Sequence, residues 1–404
     1  MKFEDITSRI FRFVFLLLLI GATGKAYCNV PENPDEDFVI ASVMIASPGE
    51  ELYSKLGHAF LRMQCPSHGM DFCFTYESED AARKVLSFLS GNLKMGMQGI
   101  KTPEFLQHYS EEGRGVTEYE LQLPIAVKQN LWRILDNHVA EGMYLPYDYM
   151  ERGCAYSVFN CIREALGEKE MQIADWPSDF DMTRREIVCS RLDGSPWTRL
   201  FLNVITNGPI DDDVPNTEKT ITPETLVLAL KNASVDNRPV LSEGREIMVE
   251  NAGVDEAAWL SPLKVAWLLL VLTVVGFIAG GNWMTYVMLS IQTLLGLFVC
   301  YLLFCSSLCA TESSWLAIPF NPLPLLLWKW RKYWELPLAA LLTAWCLLIT
   351  FGGAYLMDPP LVLLAFTFSL SLVFDHLSRR GIRLDVKTLF SKLILVKSTN
   401  LKSI

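Results

Sequence analysis

From Leu263 to Phe374 the chain is almost wholly apolar, and a block of that length and composition cannot be left facing water. Charged residues run through positions 30 to 255, with an acidic bias, and thin out where the block begins. Such a break divides the 404 residues into a soluble unit and a membrane-embedded one. The apolar fraction of 51% is therefore the sum of two unlike halves. A net charge of −10, with no Lys/Arg cluster in the soluble half, argues against a nucleic-acid partner, whose phosphates need clustered cations.

At the N-terminus, Lys2, Arg9 and Arg12 precede a short apolar run, Phe13 to Ile20. Gly24 and Ala26 then suit the small-residue positions of a cleavage site. The run is too short to span a bilayer, so residues 1–26 are expected to be a secretory signal peptide. Cys28 follows closely, but Lys25-Ala26-Tyr27 is a poor lipoprotein box. An extracytoplasmic domain is then expected over residues 27–255.

Four apolar segments, about 264–281, 285–308, 336–356 and 360–377, are each long enough to cross a membrane. A fifth, Trp315 to Trp328, is shorter and interrupted by Pro319, Pro322 and Pro324. The basic tetrad Lys329-Trp330-Arg331-Lys332 follows it, and Arg379, Arg380 and Arg383 follow the last segment. Short basic loops prefer the cytoplasm. With the soluble domain outside, both clusters reach the cytoplasm only if 315–328 also crosses, its freed backbone groups satisfied by neighbours. The expectation is a transmembrane bundle of about five spans over 264–378. A basic cytoplasmic tail over 379–404 would follow, in a bacterial inner membrane with the N-terminal domain in the periplasm. Glu335, Asp375 and His376 fall at span ends, where interfacial solvation accounts for them. Cys300, Cys305, Cys309 and Cys346 read as small apolar residues. The bundle reads as an anchor in the lipid bilayer, not as a transporter.

The soluble half reads as α+β. Phe38 to Ala46, Ala59 to Met63, Asp71 to Tyr76 and Gly115 to Leu123 carry strand-like apolar or alternating runs. Ala81 to Leu89 and Ile125 to Glu141 have helical spacing. A further helix runs from about Cys154 to Leu166 and stops at Gly167. A cysteine in the first helical turn has its thiolate stabilised by unpaired N–H groups and the helix dipole. A histidine on a neighbouring strand can take the thiol proton and return it to a leaving group. Cys154 and His58 meet those requirements.

The run Gly57-His58-Ala59-Phe60-Leu61-Arg62 is followed by Thr117-Glu118-Tyr119-Glu120-Leu121 and by Tyr147-x-Tyr149-x4-Cys154-Ala155. Together they resemble the Lnb-type N-terminal periplasmic domain family of bacterial envelope membrane proteins. The stretches Phe201 to Asp211 and Ile221 to Leu230, and the element Asn321-Pro322-Leu323-Pro324, are similar too. Histidine before a helix-opening cysteine further resembles circularly permuted papain-like (NlpC/P60-like) thiol hydrolases and acyltransferases. That resemblance implies a permuted papain-like α+β domain with His58 as base and Cys154 as nucleophile. Family members carry Asp-Asn-Cys where this chain has Arg152-Gly153-Cys154, and its own Asn-Cys pair is Asn160-Cys161. Cys154 is preferred to Cys161 because it opens the helix and keeps its spacing from Tyr149.

Asp71 and Glu77 both qualify to orient His58, and the sequence does not choose. Arg62 and Tyr149 qualify as substrate contacts. Cys65 and Cys73 flank a hairpin and suit a disulfide in an oxidising compartment. Cys65-x2-His68 spacing with His58 also fits zinc, a weaker reading that leaves no metal in the expected site. Nothing calls for a cofactor. His108 and His138 read as solvated, as does the acidic loop Asp211-Asp212-Asp213 with Asn216 and Glu218, which calcium would also suit. Two functions follow: a cysteine hydrolase or acyltransferase acting on amide or ester bonds of an envelope peptide or lipid, or a non-catalytic periplasmic module aiding maturation of exported proteins.

Overall fold

A computed structural model describes residues 39–382 other than 52–53, 80–82, 143, 149–151, 168–169, 175, 178–180, 207, 251–258, 309–310, 312–313 and 353–356. The expected signal peptide, Tyr149 and most of the basic tail lie outside the described residues.

The strands expected from the N-terminal half form β1 (Ile40–Ala46), β2 (His58–Cys65), β3 (Met70–Ser78) and β5 (Val116–Glu120). Between them β4 (Lys94–Lys101) escaped the sequence pattern, because Gly96 and Gly99 depress its strand propensity. Gly99 instead lets the Phe74 ring lie close over the backbone. The short β6 (Tyr144–Pro146) follows. A small separate sheet joins β7 (Gln172–Ile173), β8 (Ala233–Val235) and β9 (Arg238–Pro239). Last comes β10 (Arg245–Met248), which pairs with β5. The main sheet has seven strands in the order β10-β5-β1-β2-β3-β4-β6, and its paired strands are antiparallel.

Helices cover both faces. After α1 (Val85–Leu89), α2 (Thr102–Glu111) lies on one face, where Phe105 and Tyr109 pack against Met44, Phe60, Cys73 and Val116. On the other face α3 (Ile125–Ala140) and α4 (Cys154–Leu166) pack together, α4 against β2 and β3. The apolar face of α4 buries Val158, Phe159 and Ile162 at 3.6-residue spacing. Then follow α5 (Arg184–Ser190), α6 (Pro196–Ile205) and α7 (Pro223–Lys231).

The β2–β3 register corrects the expected disulfide. Cys65 stands opposite Met70 and Cys73 opposite Arg62. Met70 and Cys73 are an odd number of residues apart, so they face opposite sides of the sheet. The two thiols are therefore back to back, and both are free. The same geometry rules out a shared zinc.

The apolar block forms α8 (Pro262–Ile278), α9 (Trp283–Cys305), α10 (Arg331–Phe351) and α11 (Pro359–Arg379). By length and composition three helices among the described residues can cross a membrane, Trp283–Cys305, Trp328–Phe351 and Pro359–Arg379, and Pro262–Ile278 is a shorter apolar helix. Between α9 and α10 the proline-broken segment has only short turns, at Trp315–Ala317, Leu323–Leu326 and Trp328–Trp330. It runs antiparallel beside α9, since Leu316 and Phe320 meet Val299 while Trp328 meets Tyr286 at 5.7 Å. Midway, the Asn321 backbone occupies the space a side chain on Gly296 would need. Buried Gln292 donates to the carbonyls of Pro319 and Asn321, supplying the partners that the prolines deny the segment internally.

Interfacial solvation does not describe Glu335 and Asp375, which are only 1% and 2% exposed. Glu335 is bonded to His376 and Arg379, and Asp375 accepts from Arg379 at 3.0 Å and Asn282 at 3.2 Å. They form one buried charge cluster tying α10, α11 and the α8–α9 turn together, because carboxylates removed from water need compensating charges and donors.

The soluble domain rests directly on the bundle. Leu89, Ile187, Val188, Ile205 and Ile221 share one core with Leu302 and Leu308 at the end of α9. Arg199 of α6 pairs with buried Asp358 at 3.1 Å, and Trp197 Nε1 donates to Leu260 O at 2.8 Å.

Candidate active site

Gly57 turns the chain into β2 with φ +80°, and any side chain there would strike the carbonyl of Ala46. The turn fixes where His58 starts the strand. Across from it, α4 begins at Cys154 behind Gly153, an N-cap with an ordinary φ of −73° and no side-chain acceptor. What glycine contributes at 153 is bareness rather than a left-handed turn. The first-turn N–H groups stay free of a competing cap.

The Cys154 thiol and the His58 ring lie close enough for each to shift the titration of the other. Burial alone would raise the thiol pKa. The charge and hydrogen bond of His58, with N–H groups of Ala59 and Ala155, more than offset this and hold Cys154 below the ordinary thiol range. For His58, burial disfavours the imidazolium, yet the charge and hydrogen bond of Cys154, aided by Glu77, raise its pKa. Both shifts favour the thiolate–imidazolium pair. Cys154 is partly accessible.

On its other side His58 Nε2 lies 2.7 Å from Thr75 Oγ1, and Thr75 donates to Glu77 Oε1 at 2.9 Å. Nε2 itself is 3.7 Å from that carboxylate. Of the two expected orienting acids, Glu77 is the one beside His58, acting through a hydroxyl that the sequence reading missed. Thr75 stands two residues before Glu77 on one strand face, so period-2 reasoning applied to β3 would have found it.

Asp71 is engaged elsewhere. It accepts two bonds from Arg62, at 2.8 and 2.6 Å, and one from Thr102 at 2.6 Å. Arg62 also donates to Glu118 at 3.1 Å, and Glu118 holds Arg245 of β10 at 2.5 Å. Arg62 and Asp71 thus belong to a half-buried polar chain stitching β10, β5, β2 and β3, with their charges already paired. In the acidic loop Asp211 is paired with Arg185 at 2.8 Å, while Asp213 is exposed with Lys219 3.7 Å away, in keeping with a largely solvated loop.

Cys161 sits one heptad beyond Cys154 in the core, 3.3 Å from the Tyr76 hydroxyl, and burial pushes its thiol up to about 11. The same hydroxyl meets His138 Nδ1 at 3.0 Å, so His138 is not simply solvated. Tyr109 and Tyr147 complete the surroundings of Cys154. Burial is the chief cause raising both phenols, and the Cys154 charge adds to it. Tyr109 lies on α2, a helix for which the sequence reading set no bounds, and Tyr147 was noted only for its spacing.

A helix-opening cysteine beside a strand histidine, in a mixed α/β domain seated on membrane-capable helices, defines a membrane protein with a thiol-bearing head domain. Residues 35–186 match the family described as the Lnb N-terminal periplasmic domain, and the chain carries that domain there. Its N-terminal region is thus a periplasmic domain of a membrane protein. The match includes β1 to α4, and hence His58, Thr75, Glu77 and Cys154, but stops before β10, which completes the same sheet. No curated protein and no solved structure matches the chain.

Proposed function

We propose that this domain is a cysteine acyltransferase or hydrolase of permuted papain-like design, acting on an ester, amide or thioester of an envelope lipid or peptide. The observation that carries the reading is the interaction of Cys154 with His58, which lowers the thiol pKa and raises that of the ring, on a histidine held by Thr75 and Glu77. The Cys154 thiolate attacks the acyl carbonyl and a C–S bond forms. The His58 imidazolium gives its proton to the departing alcohol, amine or thiol as the old acyl bond breaks. In the second half, His58 takes a proton from water or from an acceptor nucleophile, which attacks the thioester and frees Cys154. Thr75 and Glu77 keep the ring turned toward the sulfur through both halves.

The surrounding topology supports a substrate delivered at the membrane. In this reading residues 1–26 direct export and are removed, and the apolar block crosses an inner membrane about five times. The broken 315–328 segment forms the third crossing, and the C-terminus is cytoplasmic. The length of that segment alongside α9 favours a crossing, as do the basic residues that follow it.

The test is to isolate the full-length protein from membranes and look for a hydroxylamine-sensitive acyl adduct on Cys154 by mass spectrometry. Wild type should carry it, and Cys154→Ala and His58→Ala should not. Full complementation by Cys154→Ala, with no adduct in wild type, would instead favour a non-catalytic module assisting exported proteins.

A further inference from the structure

Beside the site, α1 presents adjacent apolar side chains away from the protein. Leu86 is 73% exposed and Val85 46%, while Leu89 on the same short helix is buried in the core shared with Leu302 and Leu308. Leaving two aliphatic side chains in water forgoes the stabilisation that burying them would bring. The helix is also pinned. The Tyr301 hydroxyl of α9 reaches Leu86 O at 3.5 Å, and Ser307 donates to Ser90 O through its N–H at 3.1 Å and its hydroxyl at 3.0 Å. Gly91 makes this approach feasible, because any side chain there would collide with Ser307.

The level at which α1 is pinned is the outer end of α9, where Phe304 is 84% exposed. Exposed Trp197, Trp259 and Trp315 lie at or near the domain-facing ends of the apolar helices, and tryptophan favours the headgroup level of a bilayer. Behind α1, the Phe88 and Tyr147 rings stand 6.3 Å apart, and the Tyr147 phenol feels the Cys154 charge. Leu56, two residues before His58, lines the same apolar wall.

We infer that α1 is a ridge immersed in the lipid of the outer leaflet, and that the apolar wall of Phe88, Tyr147 and Leu56 opens the thiol site toward that lipid rather than toward water. Continuity between the ridge and the apolar surface of α9 names the partner as acyl chains. The inference rests on the function proposed above only for what travels along the wall, and the immersion stands without it.

The experiment uses the full chain in vesicles of phosphatidylethanolamine and phosphatidylglycerol, with a fluorescent amino acid replacing Leu86. Nitroxide placed near the headgroup end of the lipid chains should quench it, and aqueous iodide should not. Quenching by iodide with none by the lipid nitroxide would overturn the ridge. In a second arm, Val85→Asp combined with Leu86→Asp should slow acyl-adduct formation from vesicle lipid by about tenfold or more, equivalent to some 1.4 kcal/mol. Alkylation of Cys154 by water-soluble iodoacetamide should be unchanged. Equal adduct rates in the double variant would refute the route even if the ridge is immersed. Absence of any adduct in wild type, with lipid quenching retained, would fail the proposed chemistry and leave the ridge standing.

Discussion

Thr75 Oγ1 lies 2.7 Å from His58 Nε2 and donates its own hydrogen to Glu77 at 2.9 Å, so a carboxylate holds the histidine through an intervening hydroxyl. Thr75 is wholly buried, and no water competes for the position. Thr75→Val keeps the shape and removes the acceptor, leaving the ring N–H unsatisfied at a cost of about 1–3 kcal/mol. Iodoacetamide labelling of Cys154 should slow by roughly tenfold or more, with circular dichroism unchanged, and Thr75→Ser should restore it. Labelling at the wild-type rate in Thr75→Val would remove the relay.

The paired shifts at Cys154 and His58 set a pH window. The thiolate is lost as pH falls through the depressed Cys154 pKa, and the imidazolium proton is lost as pH rises through the raised His58 pKa. Acyl transfer should therefore be bell-shaped, while alkylation, which needs only thiolate, should begin below the ordinary thiol value of about 8.5. In His58→Ala burial is no longer opposed by the ring, so the labelling midpoint should move up. An unmoved midpoint would contradict the pairing.

Cys161 and Cys154 should behave oppositely. Cys161→Ala should leave Cys154 labelling intact and lower thermal stability. Tyr76→Phe should cost about 1 kcal/mol by stripping a hydroxyl from both Cys161 and His138. Thermal unfolding with labelling in parallel separates the two effects.

In the bundle, Gly296→Leu should dislodge the broken segment, since even a β-carbon there would lie 2.5 Å from Asn321 Cα. Gln292→Leu should act more mildly, by about 1–3 kcal/mol, through the orphaned Pro319 and Asn321 carbonyls. Protease protection of the 315–328 segment in membranes, compared with wild type, reads both. Full protection in Gly296→Leu would show that the segment does not depend on this contact.

Much of the head domain was legible from local pattern. Strands β1, β2, β3 and β5 and helices α3 and α4 follow from apolar period alone, and a cysteine at a helix start announces its own chemistry. Helix α2 carried a usable signal that went unread: Pro103 near its start and Phe105 and Tyr109 four apart. Other features had no local signal. The edge strand β10 joins β5 across more than a hundred residues, and whether Asp71 or Glu77 meets His58 depends on cross-strand register. Glu335 looked solvated because its partners His376 and Arg379 lie on another helix, and Asp375 because Asn282 and Arg331 reach it from other elements.

The edge strand also governs the order in which the protein is completed. Residues 245–248 close the open side of the main sheet and lie just ahead of the first apolar helix at Pro262. A chain synthesised from its N-terminus cannot finish its sheet until nearly all of the head has been made, just before the first apolar helix follows. Until then β5 is an unpaired edge open to foreign strands. A soluble head cut at residue 186 would keep that edge permanently bare, so a fragment that stays monomeric must extend through Met248.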